Sequence, residues 1–251
     1  MSSAIAVAAA GLLFASTLQS ATGFGFALVA GPAFYAAFDP TAAVALVLVL
    51  AAVVEMLVLF AERRQPDPEW SAVLLASVAA LPGLPLGALL VRTLPTPSLR
   101  ILVGLVVVSF VAARVVRRRG EAPAASIEPD RHRALAAGFA VGVLTTSTTT
   151  AGPPLAIWLT GRRMPAAILR DTVTVIFFAL DLIGIAVLVA VLGAGATFAQ
   201  MHWLPLLVPI AVCGQVLGRR IFLRLPTRRY ELVVLAFALA AGILSVATGI
   251  R

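Results

Sequence analysis

Apolar residues follow one another along this chain in long blocks, and the charged residues lie mostly at the ends of these blocks. A helix needs roughly 20 apolar residues to cross the hydrocarbon core of a bilayer, and a run of about 18 already predicts a span. Six blocks meet this length: residues 41–61, 70–91, 98–116, 171–192, 201–223 and 230–250. Apolar residues make up 61% of the 251 positions and charged residues 12%, against about 25% charged in soluble domains. The pattern predicts an all-α polytopic membrane protein.

The first two apolar segments, residues 4–18 and 27–38, are too short for this pattern. As helices they reach about 22 Å and about 18 Å, whereas the hydrocarbon core is about 30 Å thick. Between them lies Gln-Ser-Ala-Thr-Gly-Phe-Gly-Phe, residues 19–26. Each glycine costs a helix interior about 1 kcal/mol, and non-helical backbone is tolerated in a bilayer only where protein or a water-filled cavity satisfies it. We predict a re-entrant or broken helical hairpin with its tip at residues 22–25.

The second half of the chain repeats this organisation. A hydroxyl-rich break, residues 145–154, separates the apolar segments 134–144 and 155–160. Similar features recur at nearly one offset: Gly23 and Gly152 (129 residues), Gly83/Gly87 and Gly214/Gly218 (131), and Leu94-Pro95-Thr96 and Leu225-Pro226-Thr227 (131). Such matches indicate an internal duplication. We predict a first repeat at 1–116, a cytoplasmic linker at 117–133 and a second repeat at 134–251, each a hairpin followed by three spanning helices.

The basic residues predict how the repeats are oriented. All 19 are arginines, and they cluster at helix ends and in short loops. If each hairpin returns to the side it entered from, the repeats are inverted and 16 arginines lie on the cytoplasmic side against 3 outside. If each broken segment crosses the membrane once, the repeats are parallel and the count is 9 against 10. The positive-inside rule favours inverted repeats with both termini extracytoplasmic. The net charge of +8 is therefore an orientation signal, and no nucleic-acid partner is expected.

The two breaks are candidate ligand sites because an interrupted helix frees N–H groups and the positive end of its dipole for an anion. The candidate substrate-binding residues are Gln19, Ser20, Thr22, Gly23, Phe24, Gly25, Ser147, Thr148, Thr149, Thr150, Gly152, Pro153 and Gln215. The alternative for any single hydroxyl is a hydrogen bond back to its own helix, and this alternative is favoured residue by residue. For the two clusters as units the functional interpretation is favoured. Gln215 fits a ligand or an interhelical contact equally well.

Glu55 and Asp181 are the acids that lie well inside predicted spans. Ionisable residues within a membrane are functional by default, and both are candidates for proton coupling. Counted from the ends of their apolar blocks, Asp181 lies about 15 Å deep and Glu55 about 9 Å from the cytoplasmic end. These different depths make Asp181 the stronger candidate, with a hydrogen-bonded structural acid as the alternative.

Other classes of protein fit the sequence less well. Cys213 is the single cysteine, and His132 and His202 are far apart in sequence, so neither a metal site nor another cofactor is expected. An intramembrane enzyme would need a nucleophile beside a base or a carboxylate pair at one depth, and we predict that the protein is not an enzyme. The expected partners are a small anionic substrate and the lipid bilayer, and a homodimer is compatible with the sequence.

Two stretches carry a resemblance to a known family. Residues 21–29, Ala-Thr-Gly-Phe-Gly-Phe-Ala-Leu-Val, resemble the opening motif of the sulfite exporter TauE/SafE family. Residues 147–155, followed by Leu-Arg-Asp-Thr at 169–172, resemble the start of that family's second repeat. The resemblance covers nearly the whole chain. It implies a multi-pass transporter, exporter or uptake permease, in the bacterial plasma (inner) membrane for sulfite, sulfonates or sulfoacetate; a transporter of another small organic anion such as a carboxylate, an anion channel and a non-transporting scaffold are the alternatives.

Overall fold

A computed structural model describes residues 2–22, 25–61, 65–119, 131–160, 162 and 164–222, and residues 239, 243, 246–247 and 250. These ranges contain helices joined by short connections and no β-strand. The α-helices whose bounds lie within these ranges are α1 Ser2–Thr22, α2 Phe26–Ala37, α3 Pro40–Ala61, α4 Trp70–Ala80, α5 Gly83–Thr93, α6 Thr96–Arg119, α7 Arg131–Ser147, α8 Gly152–Thr160, α9 Ala166–Leu192, α10 Ala194–Phe198 and α11 Leu204–Phe222, with a 3-10 turn at Met201–Trp203. The predicted all-α class is confirmed.

Several helices are long and apolar enough to cross a membrane. Three stretches meet this condition within the described residues: Pro40–Phe60, Ala167–Leu192 and Ala194–Arg220. The helices α4 and α5, bent by 41° against each other, supply a fourth if they form one span. Most of the predicted last span, 230–250, and most of the predicted linker lie outside the described residues. The helix α1 has 21 residues, or about 32 Å, so it is longer than the predicted 15-residue arm.

The bend between α4 and α5 does not lie at Pro85. A proline in the stretch Gly83-Leu84-Pro85-Leu86-Gly87 is expected to kink a helix there, but the helix is interrupted earlier, at Leu81 and Pro82. Pro85 is the third residue of α5. In the first turn of a helix the N–H groups have no helical acceptor, so a proline there removes no hydrogen bond.

Glycines set the closest contacts between the two halves. A Cβ at Gly83 or Gly87 of α5 would overlap backbone atoms of α7, and a Cβ at Gly214 or Gly218 of α11 would overlap backbone atoms of α1. Small residues four apart allow helix axes to approach closely in a membrane, as the sequence predicts. The first helix of each half therefore packs on the glycine face of the other half.

The centre of the protein is formed by α3 and α9, which pack against each other. Most residues of α3 from Ala42 to Val54 are buried, and α2, α11 and α1 also contact this helix. The start of α3 is fixed by Asp39, whose side-chain Oδ1 accepts a 3.1 Å hydrogen bond from the Ala42 N–H, and by Pro40 in a position that suits proline. The two candidate acids lie on these central helices, Glu55 on α3 and Asp181 on α9.

Candidate functional site

Both predicted helix breaks are present. The helix α1 ends at Thr22 and α2 restarts at Phe26, after Gly25 with φ of 105°. The helix α7 ends at Ser147 and α8 restarts at Gly152, with Thr149 between them at φ of 59°. A left-handed conformation is ordinary for glycine but costs about 1–2 kcal/mol for a β-branched residue. Such strain persists only where the surrounding structure imposes it, and it concentrates at functional sites.

The two breaks line one cavity, which also reaches α3 and α9. Its lining residues in the described part of the chain are Gln19, Gly25, Phe26, Ala27, Leu28, Val47, Leu48, Ala51, Glu55, Thr145, Thr149, Ala151, Gly152, Phe177 and Asp181. The volume of this cavity is about 30 Å³. Since one water needs about 10–15 Å³ by this measure, the cavity has room for about two waters.

The two halves contribute corresponding positions to this cavity. Five pairs of lining residues have numbers that differ by 126: Gln19 and Thr145, Gly25 and Ala151, Phe26 and Gly152, Ala51 and Phe177, and Glu55 and Asp181. The first residues of α2 and α8, and of α3 and α9, differ by the same 126. The offset of 131 at the glycine pairs follows because α9 has 27 residues and α3 has 22.

This register corrects one predicted correspondence. The sequence pattern matches Gly23 with Gly152, but Gly152 is the first residue of α8, and the first residue of α2 is Phe26. The glycine pattern fails here because a glycine is the first residue of α8, whereas the glycines of the first half precede α2 in the sequence. Gly23 and Phe24, and the side chains of Thr22 and Pro153, lie outside the described residues.

The hydroxyl groups of the second break bond mainly to their own segment. Thr145 donates to the Val141 carbonyl at 2.8 Å, Ser147 to Val143 at 2.6 Å, and Thr149 to Thr148 at 2.6 Å. Thr148 and Thr150 share a hydrogen bond of 2.7 Å. The alternative of local hydrogen bonding therefore holds for these side chains individually. Thr145 and Thr149 line the cavity, whereas Ser147, Thr148 and Thr150 are buried behind it.

The two candidate glutamines have different surroundings. Gln19 is 2% exposed and lines the cavity, and its Oε1 accepts a 3.3 Å hydrogen bond from the Phe26 N–H. Gln19 thus caps the start of α2. Gln215 donates from Nε2 to the Val54 carbonyl at 3.1 Å, which is the interhelical contact that the sequence left as one of two interpretations. Ser20 is partly buried and packs against α11 at Gly218.

Glu55 and Asp181 lie together, which corrects the predicted difference in depth. Both residues line the same cavity and are almost fully buried, at 3% and 6% exposed. The prediction is wrong because the edges of apolar blocks do not mark one common level in the membrane: Asp171 begins a block but is buried inside α9, which begins at Ala166 and has 27 residues against 22 in α3. Counted from Pro40 and Ala166, both acids are fifteen residues into their helices.

The residues of α2 that hold the second break were not apparent from the sequence pattern. The Tyr35 hydroxyl donates to the carbonyl of Ser147, and a Cβ at Gly31 would lie 2.7 Å from the Thr149 Oγ1. A tyrosine in an otherwise apolar arm was the available signal, since a buried hydroxyl usually has a partner. The apolar lining residues carried no such signal, because any residue of an apolar run can face a cavity.

A polar cluster ties one end of α9 to the loop before α4. Asp171 Oδ2 accepts from the Asp67 N–H and Thr172 Oγ1 from the Glu69 N–H, both at 2.9 Å. Arg162 forms an ion pair with Glu69 and lies 4.9 Å from the Trp158 ring centre. The Asp-Thr pair of the 169–172 motif therefore anchors a loop and does not line the cavity.

Comparison with protein families identifies the chain. The model of the family described as Sulfite exporter TauE/SafE matches residues 7–245. No curated protein and no solved structure gives a match. Members of this family are membrane transporters of sulfur-containing anions, and the apolar helices agree with an integral membrane protein. With nearly its whole length matched, the chain belongs to the sulfite exporter TauE/SafE family.

Proposed function

We propose that this protein is a secondary transporter of small sulfur-containing anions, such as sulfite, sulfonates or sulfoacetate, in the bacterial inner membrane. The anion binds in the cavity between the two helix breaks. The observation that carries this proposal is that α2 and α8 both begin at this cavity, at Phe26 and Gly152. Helix N-termini bind anions through free N–H groups and the helix dipole.

The two N-termini offer unequal sets of donors. In α2 the Phe26 N–H is bonded to Gln19, which leaves the N–H groups of Ala27 and Leu28 as first-turn donors beside the cavity. In α8 the second and third residues are prolines and have no N–H, so Gly152 is the main donor there. Apart from the acids, the described lining residues are uncharged. Backbone donors are therefore the principal means of holding an oxyanion in this cavity.

The size of the cavity supports a transporter over an open channel. Room for about two waters is less than a sulfonate needs, so the anion enters only when the walls move apart. The walls that can move without breaking a long helix are the interrupted ones, at Gly25 and at residues 148–151. Broken helices around a central site, with halves that move against each other, are the usual construction of secondary transporters.

We further propose that the two halves are inverted repeats with both termini extracytoplasmic. The lining pairs 126 residues apart and the exchanged glycine contacts support a duplication, and the arginine distribution supports inversion. One charge crossing 100 mV is worth about 2.3 kcal/mol, about fifty-fold in concentration. An inside-negative potential therefore drives efflux of a monoanion, whereas its uptake requires a coupled cation.

Purified protein reconstituted in liposomes tests the proposal. We expect saturable counterflow of sulfite, with sulfoacetate and methanesulfonate competing and protein-free liposomes as the control. Sulfate and acetate, added singly, report whether the site selects the sulfite and sulfonate group. Flux that rises linearly with concentration would indicate a channel, preference for acetate would indicate a carboxylate transporter, and absence of flux with every anion would contradict the proposal.

A further inference from the structure

The acids Glu55 and Asp181 lie in the same cavity as the proposed anion site. They are almost fully buried and occupy corresponding positions of α3 and α9. Two carboxylates that share a small buried cavity repel each other with little screening from water, so they cannot both stay ionised. The pair therefore holds at least one proton, and the proton belongs to the pair and not to either residue.

One oxygen of this pair still lacks a partner. Glu55 Oε2 is buried without a hydrogen bond, while Glu55 itself is 3% exposed and lines the cavity. The neighbouring hydroxyls of Thr145 and Thr149 donate to main-chain carbonyls, and Gln19 Oε1 accepts from Phe26. A buried carboxylate oxygen that faces a small cavity without a donor is suited to a proton or a small cation.

No other titratable group lines this cavity in the described part of the chain. The described titratable and charged groups on helices packed against α3 have other surroundings. Tyr35 of α2 donates to Ser147, Arg92 of α5 to Val191, and Asp171 of α9 accepts from Asp67. The remaining ones are Arg170 at the start of α9, and the exposed His132 of α7 and Cys213, Arg219 and Arg220 of α11. The carboxyl pair is therefore the group in the cavity that can compensate the charge of an entering anion.

We propose that Glu55 and Asp181 form a single proton-binding site whose occupancy is linked to that of the anion. This inference rests on the proposed function. An anion at the N-termini of α2 and α8 repels a negative charge on the pair, so anion binding is accompanied by the transfer of a proton from solution to the remaining carboxylate. Linkage is reciprocal, so the proton raises anion affinity as much as the anion favours protonation. A monoanion then crosses together with a proton, and the loaded cavity carries no additional net charge.

Binding of methanesulfonate at several pH values tests this linkage, because this sulfonate keeps its charge between pH 5 and 8. If one proton is taken up per anion, affinity should rise about tenfold for each unit of decreasing pH. In weakly buffered solution a pH-sensitive dye should report uptake of about one proton per bound anion. The double substitution Glu55→Gln and Asp181→Asn, nearly isosteric, should abolish both the pH dependence and the proton uptake.

The matched control is Asp171→Asn, which neutralises another buried acid of α9 outside the cavity. This variant should keep the pH dependence of the unmodified protein. Binding that is independent of pH in the unmodified protein would overturn the inference while leaving the proposed function intact. An unchanged pH dependence in the double variant, or affinity raised by sodium and not by protons, would also overturn it. Absence of binding of both sulfite and methanesulfonate at every pH would remove the proposed function and the linkage with it.

Discussion

The hydroxyl of Tyr35 in α2 donates a hydrogen bond to the main-chain carbonyl of Ser147, the last residue of α7 and 112 positions later in the chain. The last carbonyl groups of a helix accept no hydrogen bond within the helix, so they need a donor from elsewhere when they are buried. Tyr35 and Ser147 are both fully buried. The helix α2 of the first half therefore stabilises the helix break of the second half, so the two breaks depend on each other.

Removing this hydroxyl should destabilise the protein. In Tyr35→Phe the ring keeps its packing, but the Ser147 carbonyl is left buried without a donor. We expect a loss of about 1–3 kcal/mol, measured as a lower unfolding midpoint in detergent. Thr93→Val is the control, because it also removes a hydroxyl that donates to a carbonyl, but on an exposed residue. Equal midpoints for the two variants would show that the contact between Tyr35 and Ser147 contributes nothing specific.

Gly31 should be sensitive to a single added methyl group. A Cβ there would lie 2.7 Å from the Thr149 Oγ1 and 3.2 Å from the Thr148 carbonyl oxygen, so the second break must shift. We expect Gly31→Ala to weaken sulfite binding, measured as the loss of sulfite-induced thermal stabilisation. Gly195→Ala is the matched control, since nothing lies within 4 Å of its Cβ position. Full stabilisation by sulfite in Gly31→Ala would show that anion binding does not depend on the geometry of this break.

Two substitutions of Thr149 should separate its contribution to anion affinity from its effect on stability. Thr149→Val keeps the shape but removes the hydroxyl beside the cavity. If this hydroxyl turns from the Thr148 carbonyl to a bound sulfite, its removal should lower the affinity by about 1–2 kcal/mol, or roughly five- to thirty-fold. Thr149→Gly also loses the hydroxyl but relieves the left-handed strain at φ of 59°, which can raise the free energy of unfolding by about 1 kcal/mol. Both quantities can be read from one series of melting curves with and without sulfite. A Thr149→Val variant with unchanged affinity would remove this hydroxyl from the site.

The sequence was informative where a rule of membrane chemistry leaves few alternatives. The breaks before Phe26 and before Gly152 could be predicted because glycine, proline and clustered hydroxyls weaken a helix that the bilayer otherwise favours. The close contacts of Gly83 and Gly87 followed from their spacing. The membership in the family was visible in the motifs of both halves, and the family comparison confirms it.

The position of the acids could not be predicted in the same way. Counts from the edges of the apolar blocks gave Glu55 and Asp181 different depths because these edges do not lie at one level in the membrane; Asp171 begins a block but is buried inside α9. Its carboxylate is satisfied by the loop at Asp67, a contact between residues 104 positions apart that periodicity cannot show. The partner of Tyr35 was hidden for the same reason. The positions of these polar residues depend on hydrogen bonds between distant parts of the chain, whereas the helices themselves follow from local sequence patterns.

The orientation of the two halves is testable at two corresponding loops. Pro66 precedes α4 and Gly195 lies in α10, after the equivalent central helix of each half, and both are exposed. In inverted repeats these loops lie on opposite sides of the membrane, with Pro66 cytoplasmic; in parallel repeats they share a side. Single cysteines, Pro66→Cys and Gly195→Cys, are introduced on a Cys213→Ala background, because Cys213 is exposed. A membrane-impermeant maleimide added to intact cells should label the cysteine at 195 and spare the one at 66, and inside-out vesicles should give the reverse. Labelling of both from the same side would contradict inversion and require each broken segment to cross the bilayer, against the 16-to-3 distribution of arginines.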